Sequence, residues 1–118
     1  ETIMMVHREY GAPPIIITEN GIAEDDHLDP DGRIRDAYRS EFIAAHLAQI
    51  SRAIADGARV RGYCCWTLLD NFEWDMGWSQ RFGLIYVDHQ TLARIVKDSG
   101  WWYRDIIAQV RRSSGGSI

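Results

Sequence analysis

Apolar residues along the chain fall into three kinds of run, and each kind predicts a different element. Ile3-Met4-Met5-Val6 precedes the charged His7-Arg8-Glu9, and Gly11 and Pro13-Pro14 follow, so Thr2 to Tyr10 reads as the last turns of a helix. Ile15-Ile16-Ile17-Thr18 is β-branched with no polar alternation, the pattern of a strand buried on both faces as in parallel sheets. Glu19-Asn20-Gly21 ends it. Residues 22–36 are acidic and turn-rich and predict a loop. From about Ala37 to Ala55, Ile43, Leu47, Ile50 and Ile54 recur with helical spacing, Tyr38 and Phe42 extending the stripe. Asp36 stands where an N-cap is expected and Gly57 where the helix should stop. Val60 to Thr67 reads as a second strand. Strand, helical crossover and strand make a βαβ unit, whose strands should be parallel. Leu68 to Gly83 predicts a long aromatic loop, and Leu84 to Val87 an extended piece before a turn at Asp88-His89. Lys97 to Val110 predicts a final helix carrying Trp101, Trp102, Ile106 and Val110. The expected organisation is one structured region, residues 1–110, and a flexible tail, residues 111–118.

Composition narrows the classes. With 46% hydrophobic and 25% charged residues, the chain has a soluble globular composition. A net charge of −4 excludes a basic nucleic-acid footprint over the whole chain. No apolar run approaches the roughly 20 residues that span a bilayer and no leader opens the chain, so neither nucleic acid nor membrane is an expected partner. Cys64 and Cys65 are adjacent, and neighbours on a strand point to opposite faces, so no disulfide between them is expected. Both read as small buried hydrophobes, and a cytoplasmic, reducing location is the expectation. His7, His27, His46 and His89 show no ligand spacing, so no metal site is expected; His46, within the helical stripe, reads as a core or interface residue.

Two places could carry chemistry. Glu19 sits where an apolar strand ends, which is where α/β enzymes place their working residues, and a buried carboxylate without a partner is costly. The alternative is a loop-edge glutamate capping the turn at Asn20-Gly21, and local pattern leaves both open. The stretch from Trp66 to Trp74 interleaves aromatic residues with Asp70, Asn71 and Glu73. Flat aromatic faces pack on the C–H face of a sugar, while carboxylates and indole N–H groups bind hydroxyls. The alternative is a packed aromatic mini-core with Asp70 paired to an arginine such as Arg81. That alternative is preferred for Trp78, Trp101 and Trp102; for Glu73-Trp74, composition decides nothing.

Three segments, ITENG at 17–21, WTLLDNFEW at 66–74 and RFGLIYVD at 81–88, together resemble glycoside hydrolase family 1, the retaining β-glucosidases and their relatives. The resemblance runs from about Tyr10 to Ile107. It implies an α/β fold, the C-terminal portion of a (β/α)8 TIM barrel, with this chain supplying strands seven and eight and their helices. It implies Glu19 as catalytic nucleophile, Trp66 as a platform near the sugar, and Glu73 as the carboxylate binding the C4 and C6 hydroxyls. Trp74 would donate to the C3 hydroxyl and Phe82 line the far end of the pocket; no cofactor is implied. Thr67 stands where the family usually has Ser and keeps the hydroxyl.

One departure is large. The family's acid/base glutamate lies in an Asn-Glu-Pro motif, and here the prolines are Pro13, Pro14 and Pro30, none after a glutamate. The chain is therefore expected to be inactive alone, and active only with the complementary N-terminal part of the barrel as partner. The expected substrate is a β-glucoside or oligosaccharide with an unphosphorylated glycone, since Glu73 would repel a phosphate. Two other expectations stand beside it. One is a non-catalytic sugar-binding or self-assembling partial barrel, because two strands leave both sheet edges unpaired. The other is a catalytically altered relative such as a thioglucosidase.

Overall fold

The structure, a computed structural model, describes residues 1–113. Its elements are α1 (Thr2–Glu9), β1 (Ile15–Asn20), α2 (Ala37–Ala55), β2 (Val60–Cys65), β3 (Ile85–Val87), β4 (Arg94–Val96) and α3 (Asp98–Ser113), with a 3-10 turn at Trp74–Met76. β1 and β2 pair in parallel across the α2 crossover, as the βαβ reading predicts. α3 packs on α2 to form a helical layer against this sheet. Tyr63 of β2 lies on the helix side, beside Leu47, Ile50, Tyr103 and Ile107. By alternation Gly62 and Cys64 lie on the opposite face, where an Ile16 methyl comes within 3.4 Å of the space above Gly62.

That opposite face is open, which corrects the expectation of a strand buried on both sides. Ile16 is 61% exposed, and Thr18 and Cys64 are exposed too. The helices cover one face of the pair and nothing among the described residues covers the other. Cys64 is thus exposed and Cys65 half-buried, rather than both buried, and the two thiols are free. Burial pushes the Cys65 thiol up to about 11.

The helical stripe on α2 is shorter than its sequence suggests. Ile43 is fully buried and Leu47 and Ile50 are half-buried, but Tyr38 and Ile54, at the two ends, are 57% and 49% exposed. The buried position one turn before Ile43 is Arg39. Asp36 occupies the N-cap position but forms no capping bond; its carboxylate binds Arg39 and the Ser99 hydroxyl and N–H instead. His46 is half-buried, donating from Nδ1 to the Phe42 carbonyl at 2.8 Å.

Beyond β2 the chain forms one element that its sequence does not announce. Arg94–Val96 pairs antiparallel with Ile85–Val87 as a small hairpin around Asp88, whose carboxylate accepts the Gln90 and Thr91 N–H groups at 2.8 Å. The final helix continues to Ser113, so Arg111 and Arg112 are helical rather than part of a flexible tail. The rest of that expected tail, residues 114–118, lies outside the described residues. Trp101 and Trp78 are exposed and Trp102 half-buried, so the three do not form a buried aromatic core.

Candidate active site

The carboxyl ends of β1 and β2 are joined at the backbone. The Trp66 N–H donates to the Asn20 carbonyl at 2.9 Å, and the Tyr63 hydroxyl donates to Asn20 Oδ1 at 2.8 Å. Between the pairs Ile17–Tyr63 and Asn20–Cys65, β1 takes three steps where β2 takes two, so β1 holds one extra residue at Thr18-Glu19. Strict alternation from the exposed Ile16 and Thr18 would turn Glu19 toward the helices. The bulge re-aims it, and Thr18 and Glu19 are exposed in succession. Among the described residues the Glu19 carboxylate makes no hydrogen bond or ion pair, so it does not cap the Asn20-Gly21 turn.

The loop after β2 returns to the same place. The Trp66–Thr67 peptide is cis. Thr67 N–H donates to the Phe82 carbonyl at 3.2 Å, and the Leu84 N–H to the Thr67 carbonyl at 2.9 Å. Phe82 thereby stands beside the residue that follows Trp66. Between them the loop folds into a tight turn in which Glu73 and Gly77 exchange N–H to carbonyl bonds at 2.8 and 2.7 Å. Gly77 sits at φ +62, a conformation that side chains beyond glycine rarely adopt. Trp74, on this turn, is 84% exposed, and Glu73 is half-buried. Phe72 meets Trp78 edge-on at 5.5 Å, and Trp78 meets His89 at 4.7 Å, so these rings form a small surface cluster.

Of the five residues singled out from the sequence, Glu19, Trp66 and Phe82 are brought together through the strand ends. Glu73 and Trp74 are carried on the loop between Trp66 and Phe82. Asp70 is paired with Arg81 as the alternative reading expected, at 2.7 Å, but it also binds Lys97 at 2.8 Å. Lys97 reaches Asp26 as well, and Asp26 binds Arg39 at 2.7 Å. These residues lie beneath the loop and were not singled out beforehand. One signal was available: Arg39 stands four residues ahead of Ile43 on the apolar stripe, where an arginine requires a buried carboxylate. Among the described residues no group of three or more His, Cys, Asp or Glu side chains is arranged to hold a metal ion. No helix among them is long and apolar enough to cross a membrane.

Exposed polar and aromatic groups stand at the carboxyl ends of parallel strands with a helical layer behind, the place where α/β enzymes carry their sites. The chain belongs to glycosyl hydrolase family 1, whose sequence profile matches residues 1–111. It is 50% identical over 102 residues to β-glucosidase A of Thermotoga maritima, a match covering 86% of this chain and 23% of that protein. It is 44% identical over 107 residues to β-glucosidase A of Acetivibrio thermocellus, covering 91% and 24%. β-Glucosidase 26 of Oryza sativa is 36% identical over 113 residues, covering 96% and 22%. In structure it matches the family 1 β-glucosidase of Thermotoga maritima in complex with isofagomine lactam, with a TM-score of 0.89 and 48% identity, over 91% of this chain and 24% of that one. The chain thus spans about a quarter of the length of the relatives it matches, and its fold is a portion of theirs.

Proposed function

We propose that this chain is the C-terminal portion of a retaining β-glucosidase and supplies its nucleophile and much of its sugar pocket. β1 and β2 would be strands seven and eight of the barrel. The observation that carries the reading is Glu19: a carboxylate without a partner among the described residues, exposed at a bulge at a strand's carboxyl end, beside Trp66. A double displacement follows from that chemistry. The Glu19 carboxylate attacks the anomeric carbon as the aglycone oxygen leaves with a proton from a second carboxyl group. Water, deprotonated by the same second group, then attacks the glycosyl-enzyme and frees Glu19, with retention. In retaining enzymes the two carboxyls stand about 5 Å apart. The second would come from the remainder of the barrel, so activity belongs to the assembled enzyme. Trp66 would stack under the sugar, Glu73 and Trp74 bind its hydroxyls, and Phe82 close the far side. A carboxylate at Glu73 favours an unphosphorylated glucoside.

In the complete enzyme a 2-fluoro glucoside inactivator should label Glu19, read by peptide mass. Glu19→Gln should lower kcat by roughly a thousandfold, about 4 kcal/mol of barrel-dependent transition-state stabilisation. A label on Glu73, or a Glu19→Gln enzyme with ordinary turnover, overturns the assignment. The open apolar face of the two-stranded sheet favours a second reading for the chain by itself, a non-catalytic self-associating partial barrel.

A further inference from the structure

Three carboxylates and three cations run in one continuous chain beneath the site loops. Arg81 binds Asp70, Asp70 binds Lys97, Lys97 binds Asp26, Asp26 binds Arg39, and Arg39 binds Asp36. Their formal charges sum to zero, and all but Arg81 are buried. Burying ions is costly, and apolar residues of equal volume often serve stability as well or better, so fixing a geometry is the better-attested use of such a set.

What the set fixes is specific. Asp26 belongs to the loop that begins after Asn20, and Asp70 to the loop that carries Glu73, Trp74 and Phe82. Lys97, at the entrance to α3, donates to both carboxylates. A second tie lies alongside: the Arg81 carbonyl, one residue before Phe82, accepts the Arg39 guanidinium at 2.7 Å and the Glu24 N–H at 3.1 Å. We propose that Lys97 is a positioning residue, locking the loop after β1 to the loop after β2 so that Glu19 and the sugar-binding groups keep one separation. The proposal rests on the function given above.

Its test uses the complete enzyme containing this chain. Lys97→Met leaves two buried carboxylates short of a partner, so the informative variant is Asp26→Asn with Lys97→Met, which removes one charge of each sign. Two readouts are needed: amide exchange of residues 21–30 and 68–84 against the β1 and β2 strands, and kcat/KM per active site titrated with an inactivator. Expected are loop exchange about tenfold faster with the strands unchanged, and kcat/KM per titrated site about tenfold lower, since displacements near 1 Å cost on the order of a hundredfold. Lys97→Arg should recover part of both. A double variant with lower Tm but wild-type exchange and wild-type kcat/KM per site overturns the proposal. So does one that cannot fold, because the set then holds the fold and not the separation. A complete wild-type enzyme without glucosidase activity overturns the functional reading instead, and loop exchange, read without substrate, tells the two failures apart.

Discussion

At Gly21 there is no space for even one methyl group. A Cβ there would lie 1.7 Å from the Trp66 carbonyl oxygen and 2.8 Å from its carbon, both backbone atoms that cannot swing aside. This contact lets the two strand ends close on each other through the Trp66-to-Asn20 hydrogen bond. Gly21→Ala must push them apart. Overpacking costs about 1–3 kcal/mol where side chains can yield, so roughly 3 kcal/mol is expected here, together with weaker glucoside binding. Urea unfolding of the complete enzyme measures the first and inhibitor titration the second. A wild-type midpoint would mean the two backbones have slack. The same residue scale explains Glu19: one inserted residue in β1, not its own chemistry, decides that it faces outward.

Among the elements, the loop after β2 depends on Asp70 at its base. The Asp70 carboxylate accepts the Gly83 N–H at 2.9 Å and the Val87 N–H at 3.3 Å besides its two cations. Burial alone would raise this carboxyl, but Lys97, Arg81 and the Gly83 N–H outweigh it and hold it below the ordinary aspartate value of 3.8. The folded value lies below the unfolded one, so Asp70's contribution is complete above about pH 4 and is lost as the pH falls through the folded value. The urea midpoint should therefore decline as the pH is lowered below about 4. Asp70→Asn should be destabilised by roughly 3 kcal/mol near neutrality, where it strands the buried Lys97 and the half-buried Arg81, and decline less on acidification. Equal slopes for the two proteins would show that Asp70 is not part of the acid response.

How far these elements could be read beforehand follows from the range of the forces that make them. β1, α2 and β2 carry their own local preferences, a β-branched run and a helical repeat, and the parallel pairing follows from the crossover. Arg94–Val96 has no pattern of its own and becomes a strand only against β3. Glu19 and the aromatic loop were legible as motifs, whereas the bulge and the bond from Thr67 to Phe82 depend on register and loop closure. The ionic set joins Lys97 to Asp26 across 71 residues of sequence, and no window along the chain contains both.

Over the whole molecule, the radius of gyration is 16.4 Å, against about 13 Å for a compact domain of this length. The buried hydrophobic residues among those described are Ile34, Ile43, Ala53, Ala58 and Leu84, while Ile16, Leu68, Phe72, Trp74 and Trp78 are exposed. Among the described residues the β1–β2 sheet has one uncovered face and two unpaired edges, and such a sheet should associate in water. Alone, the 118-residue chain should sediment as concentration-dependent oligomers; with the complementary part of the barrel it should form one discrete complex. A monodisperse monomer at all concentrations would contradict this.

The tie at the base of the loop has a consequence for how such a protein can vary. Asp70 and Gly83 are bound to each other, and the Asp70 N–H reaches the Ile85 carbonyl at 3.0 Å, so the neck of the loop is sealed independently of what lies beyond it. Residues 71–80 are an insert on this stem, whereas Arg81 and Phe82 belong to the stem through their bonds to Asp70, Arg39, Glu24 and Thr67. Exchanging residues 71–80 should leave the strands undisturbed, and under the proposed function it would alter the sugar contacts of Glu73 and Trp74 while Glu19 stays where it is.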